Sequence, residues 1–221
     1  VLDVGCGSGG ITLFLARELP MKHITGFDIE EPVIAAARRR CDQEGAEDRV
    51  AFVRGEPGPF PFPDASFDIV FSKDALIHIA DKEALFRDIA RVLTPGGIFV
   101  ASDWLTSHDG PPSEAMTAYL AAEGLSFGMA SPGRYEAALR KAGFKSIRSR
   151  NRNLWYRDQA RVELERLKGP LYQSVVAEVG EELVGKNITT WTAMIKVLDS
   201  GEHCPTHLFA RLPAQTGTGG S

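Results

Sequence analysis

The sequence predicts an α/β fold built on a parallel sheet with helices on both faces. Three observations carry that expectation. Short apolar runs alternate with stretches of ten or more residues that have helical spacing, the pattern of βαβ crossovers. Each short run is almost continuously apolar, as strands covered on both faces are. The first run, in VLDVGCGSGG, breaks straight into a glycine-rich turn ahead of a helix.

The elements follow in order. VLDVG reads as a buried strand, and Ile11–Leu19 as a helix with apolar residues at 11, 14, 15 and 19. HITGFDI (23–29) is a second strand. Glu31–Glu44 is a helix, with Pro32 in its first turn and Gly45 after its end. VAFVRGE (50–56) is a third strand, and PGPFPFPDAS is a loop broken by four prolines. FDIVFS (67–72) is a fourth strand. Lys82–Leu93 is a helix stopped by Thr94-Pro95-Gly96-Gly97, and IFVASDW (98–104) is a fifth strand. The pattern then changes. Residues 105–131 hold Pro111, Pro112, Gly124 and Gly128 around a short helical stretch, which predicts a cap inserted over the strand ends. Gly133–Ala142 is a helix, KSIRSR a strand, 155–199 mostly helix broken at Gly169-Pro170 and Gly185, and THLFAR (206–211) a final strand. Residues 1–213 are expected as a single domain carrying that cap. The stretch 214–221 is expected as a disordered tail of linker composition.

The chain has 221 residues, 43% hydrophobic and 24% charged, with a net charge of −4. That balance argues against nucleic acid as a partner, which asks for a basic face. No apolar run is long enough for a membrane span. Cys6, Cys41 and Cys204 are odd in number and far apart, which suits a reduced, cytoplasmic setting. His203, Cys204 and His207 lack paired ligand spacing, so no metal is expected. The opening in mid-strand suggests residues missing upstream.

In a sheet of this kind, ligands bind outside the carboxyl ends of the strands. Carboxylates recur there: Asp3, Asp28, Glu56, Asp74 and Asp103. The turn fits Gly5-x-Gly7-x-x-Gly10 and Gly5-x-Gly7-x-Gly9 equally well, and either pattern alone is weak. The acids decide between ligands. A dinucleotide would bring a pyrophosphate, which Asp3 repels. S-adenosylmethionine brings an ammonium and a sulfonium, which a carboxylate ring attracts. Asp28 suits two ribose hydroxyls, of NAD as well as of S-adenosylmethionine, and Glu56 can accept from an adenine amino group.

VLDVGCGSGG, GFDIE, FDIVFSKDALIHI and LFRDIARVLTPGG resemble the class I S-adenosylmethionine-dependent methyltransferases. The resemblance implies a Rossmann-like sheet of seven strands, mostly parallel, with THLFAR as the antiparallel last strand. It implies S-adenosyl-L-methionine as cofactor, held by Asp3, Gly5, Gly7, Gly9, Asp28, Ile29, Glu56, Pro57 and Lys73. SKDALIHIADK is similar to the matching stretch of the phosphoethanolamine N-methyltransferases and of the sarcosine/dimethylglycine N-methyltransferases. In the phosphoethanolamine enzymes the histidine at the position of His78 belongs to the catalytic machinery. An amine must be neutral to attack a methyl group, and histidine, with a pKa of about 6.5, is suited to take its proton. Asp74 is expected to orient that histidine or bind an ammonium.

The match departs in the cap. The phosphoethanolamine enzymes carry tyrosine, three residues, arginine, glycine, tyrosine; here the run is Tyr119 to Glu123-Gly124-Leu125. A glutamate in place of the arginine counts against a phosphate on the acceptor. Asp103, Trp104, Tyr119 and Glu123 are the expected acceptor contacts, with aromatic faces suited to an ammonium. The sequence therefore predicts an S-adenosylmethionine-dependent N-methyltransferase of a small amine metabolite. The alternatives are O- or C-methylation of a larger molecule, or cofactor binding without turnover.

Overall fold

The computed structural model describes residues 1–124 and 129–214. Leu125, Gly128 and the 215–221 tail therefore lie outside the described residues. Seven strands form one sheet in the order β3-β2-β1-β4-β5-β7-β6. They are β1 (Leu2–Val4), β2 (Ile24–Asp28), β3 (Val50–Arg54), β4 (Phe67–Lys73), β5 (Leu93–Asp103), β6 (Lys145–Asn151) and β7 (Thr206–Arg211). The pairings β1/β2, β1/β4, β2/β3 and β4/β5 are parallel, as expected. The order reverses beside β1, so the ends of β1 and β4 flank the crevice where such sheets take ligands.

The chain divides into two compact units. The first holds Val1–Asp103, Tyr135–Ser149 and, among the described residues, 207–214. Its helices are α1 (Gly10–Glu18), α2 (Glu31–Glu44), α3 (Lys82–Val92) and α5 (Pro132–Lys141), the last beginning just outside it. Leu13, Ala16, Ile24, Ile34, Ala37 and Phe52 bury the contact of α1 and α2 with the sheet. Elsewhere Phe86 of α3 meets Phe99 and Tyr135 edge-on at 5.3 and 5.7 Å, and Phe99 meets Phe144 at 6.3 Å. That geometry adds to simple area burial.

The second unit holds Trp104–Arg134 and Arg150–Thr206. The expected cap, 105–131, falls within it. Its helices are α4 (Glu114–Glu123), α6 (Asn153–Lys168), α7 (Tyr172–Val179) and α8 (Glu181–Asp199). Met116, Tyr119, Ala160, Met194, Val197 and Leu198 form its core. Ser113 caps α4 by accepting from Met116 N at 3.1 Å, and its own amide donates to the Glu202 carboxylate at 2.8 Å. No helix among the described residues is long and apolar enough to cross a membrane.

Two breaks differ from expectation. The helical stretch parts at Gly180, whose φ of +87° suits glycine, and not at Gly185, which lies inside α8. The segment Thr94–Gly97 belongs to β5: a bulge opposite Phe67–Ile69 absorbs it, so the strand starts at Leu93 and not at 98.

Candidate active site

The glycine turn is held by backbone geometry. Gly5 N and Cys6 N both donate to Phe27 O, at 2.8 and 3.1 Å, and Gly9 N donates to Cys6 O at 3.0 Å. Gly5 has φ +73°, and a Cβ there would sit 2.1 Å from the Ala75 methyl. Gly9, at φ +78°, would drive a Cβ to 2.6 Å from the Phe52 ring. Both positions therefore exclude a side chain on conformation and on space.

Asp28, at the end of β2, already braces this turn. Its Oδ2 accepts from Gly7 N at 2.9 Å and its Oδ1 from Glu30 N at 3.1 Å. Asp3 lies behind the turn, only 2% exposed, and accepts from the Thr12 hydroxyl of α1 at 2.6 Å. Burial pushes its carboxyl up to about 6, offset in part by the Thr12 hydrogen bond and reinforced by the charge of Asp28.

The ends of β3 and β4 supply the facing walls. Glu56 is exposed and pairs with Arg54 at 3.0 Å. Beyond it, the proline-rich loop is tied to α3: Phe60 N donates to the Asp88 carboxylate at 2.5 Å, and Arg91 donates to Phe62 O and Phe60 O at 2.7 and 2.9 Å. Phe60 stands edge-on to Phe27 at 5.3 Å. After β4, Lys73 and Asp74 form an ion pair. Asp74 takes a left-handed φ of +56°, with its amide on Ser102 O at 2.8 Å. A single 3₁₀ turn, Leu76–His78, follows and presents His78 at the surface.

These elements enclose one cavity of about 830 Å³ within the first unit. Gly5, Asp28, Glu56, Lys73, Asp74 and His78 all line it, as do Ile29 and Pro57. Asp3, Gly7 and Gly9 shape the turn and do not line the cavity. Asp103 does not line it either: at 1% exposure it accepts from the Tyr135 hydroxyl at 2.6 Å. Trp104, Tyr119 and Glu123 lie in the second unit. There the Trp104 ring stacks on His203 at 4.9 Å and 15°, Tyr119 is buried 5.4 Å from the same imidazole, and Glu123 ends α4. The sequence reasoning missed Phe60, Ile79, Asp81, Leu85 and Asp88, which also line the cavity. The alternation of proline and phenylalanine in PGPFPFP was the available signal for Phe60.

The lining sets Asp28, Glu30, Glu56, Asp74, Asp81 and Asp88 against a single lysine and His78. Carboxylates so concentrated favour a cationic ligand over an anionic one. With glycines at the turn and the apolar Phe27, Ile29 and Phe60 beside them, the residues fit S-adenosylmethionine. Residues 1–97 match the family described as a methyltransferase domain.

The chain thus carries a methyltransferase domain over its first 97 residues. Phosphoethanolamine N-methyltransferase 2 of Haemonchus contortus, solved in complex with S-adenosyl-L-methionine, superposes with a TM-score of 0.86 at 25% identity. A phosphoethanolamine N-methyltransferase of Triticum aestivum is 30% identical over 207 residues, 91% of this chain and 39% of that protein. A sterol 24-C-methyltransferase of Gibberella zeae is 43% identical over 108 residues, 48% of this chain and 27% of that protein. Among solved structures, phosphoethanolamine N-methyltransferase 2 of Haemonchus contortus, in complex with phosphomonomethylethanolamine and S-adenosylhomocysteine, superposes with a TM-score of 0.86 at 25% identity. That match covers 97% of this chain and 48% of the other. The chain thus spans less than half the length of each of these relatives.

Proposed function

We propose that this methyltransferase domain serves N-methylation of a small amine. The observation that carries the reading is the placement of His78 and Asp74 on the wall of the same cavity as Gly5, Asp28 and Glu56. The amine relatives in wheat and Haemonchus, which match over nine-tenths of the chain, support it.

In this reading Gly5 and the turn behind it receive the methionine part of the cofactor, Asp28 the ribose hydroxyls and Glu56 the adenine, with Ile29 and Pro57 beside them. Lys73 contributes its backbone. Asp3 supports the turn through Thr12. When bound, S-adenosylmethionine supplies an electrophilic methyl group on a sulfonium. His78 takes the proton that an ammonium must lose before its nitrogen lone pair is available. Asp74, held rigidly by Ser102, orients the imidazole or the amine. Alignment of the two reactants and exclusion of water supply most of the remaining rate.

Methylation at oxygen or carbon is the second reading, favoured by the sterol enzyme's 43% identity over 108 residues. A panel of phosphoethanolamine, ethanolamine, glycine, sarcosine, a catechol and a sterol, scored by S-adenosylhomocysteine release, separates the two. Turnover is expected with amines only, and His78→Gln is expected to lower it by about 100-fold, within the usual range for a lost general base. Turnover confined to the catechol or the sterol overturns the amine reading. Calorimetric cofactor binding with no turnover on any acceptor points to a binding protein.

A further inference from the structure

The 3₁₀ turn that carries His78 is only three residues long, and such turns are weak by themselves. A base must nevertheless be held to within about 0.5 Å of its working position. The structure shows what does the holding. Lys82, the first residue of α3, is 4% exposed, although a lysine at a helix start is ordinarily solvated. A buried ammonium is tolerated only where its donors are satisfied. Its Nζ donates to Leu76 O and to Ile79 O, at 2.5 Å each. Those two carbonyls bracket His78. The ammonium also lies 4.9 Å from the centre of the Tyr135 ring. Tyr135 is itself 1% exposed, and its hydroxyl donates to Asp103 at the end of β5.

We infer that Lys82 is a positioning residue for His78, clamped in place by Tyr135 and Asp103. The inference rests on the reading of His78 as the base. Lys82 touches neither cofactor nor acceptor in this role; it fixes both ends of the histidine turn. Asp103 thereby acts from beneath the site, as the anchor of the tyrosine.

The test uses the imidazole Cε1–H signals of the chain's five histidines. His78→Gln identifies the His78 signal. In Lys82→Met that signal is expected to shift or broaden while those of the other four stay. The dissociation constant for S-adenosylmethionine, by calorimetry, is expected to stay within about 2-fold. With the best amine of the panel, kcat is expected to fall about 10- to 100-fold, on the scale that a small misplacement costs, with KM little changed. In a His78→Gln background Lys82→Met is expected to cost nothing further. An unmoved His78 signal, a general movement of all five, or an equal loss of rate in both backgrounds overturns the inference. Where Lys82→Met does not fold, Lys82→Gln, which keeps an N–H donor, is read by the same criteria. If both variants lose cofactor binding, Lys82 belongs to the fold and the inference falls. Full turnover by His78→Gln overturns the base reading alone, since the imidazole spectrum still decides what Lys82 positions.

Discussion

At the scale of single residues, the site depends on what is absent as much as on what is present. Gly5→Ala would force a methyl to 2.1 Å from the Ala75 methyl at a φ of +73°. It is expected to raise the dissociation constant for S-adenosylmethionine at least tenfold by calorimetry. Gly45→Ala makes the control: its φ is +62° but nothing lies within 4 Å, so it should cost about 1 kcal/mol of backbone strain and leave affinity unchanged. Glycines and acids of this kind were legible in the sequence, because turn geometry and charge restrict the residue types that can serve. Lys82 was not. In sequence it is a polar residue opening a helix, and only the fold shows its ammonium turned inward. Asp103 was legible as a carboxylate at a strand end, but its bond to Tyr135 spans 32 residues and has no local signature.

At the scale of elements, the proline-rich loop shows how a helix can build a wall at a distance. Arg91 of α3 carries four hydrogen bonds, to Asp88, Asp64, Phe62 O and Phe60 O, and so pins Phe60 against the cavity. Arg91→Ala strands the half-buried Asp88 and frees the loop. It is expected to cost about 1–3 kcal/mol in urea unfolding and to weaken cofactor binding in the same preparation. The strands other than β5, and α2, were readable to within a residue or two, since apolar runs and the Pro32/Gly45 punctuation are local signals. The Thr94–Gly97 stretch misled because proline and glycine ordinarily stop an element, whereas here pairing with β4 carries the strand through a bulge. Gly180 and Gly185 illustrate the same point: composition does not say which glycine takes the positive φ.

At the scale of the whole molecule, the two units should answer acid in opposite ways. In the first, burial holds the Asp3 carboxyl near 6 against 3.8 for the ordinary group. The folded state keeps a proton that the unfolded chain has released, so stability rises as pH falls through about 6 towards 4. In the second, His203 is fully buried, with Nδ1 on Leu105 O at 3.1 Å, and burial lowers its pKa to about 4. The unfolded chain gains a proton below 6.5 that the folded unit refuses, so stability is lost between about 6.5 and 4. Each effect is worth at most about 3 kcal/mol. All three tryptophans, Trp104, Trp155 and Trp191, belong to the second unit, so their fluorescence follows the loss of its packing as the chain melts. That transition is expected to drop in temperature from pH 7 to pH 5 in the wild type and to drop less in His203→Phe. Asp3→Asn should instead remove the acid gain of the first unit, read by far-ultraviolet circular dichroism. The helical content of the second unit was legible in sequence, but not the union of Trp104–Arg134 with Arg150–Thr206, which depends on contacts between distant segments. The contact of Gly5 with Ala75 has one more implication. The loop that would receive the cofactor rests directly on the residue preceding the histidine turn, with no space for slack between them. Loading the cofactor pocket should therefore be felt at His78, the proposed proton acceptor, before any methyl acceptor arrives, and binding order would be written into the packing of a single hydrogen atom.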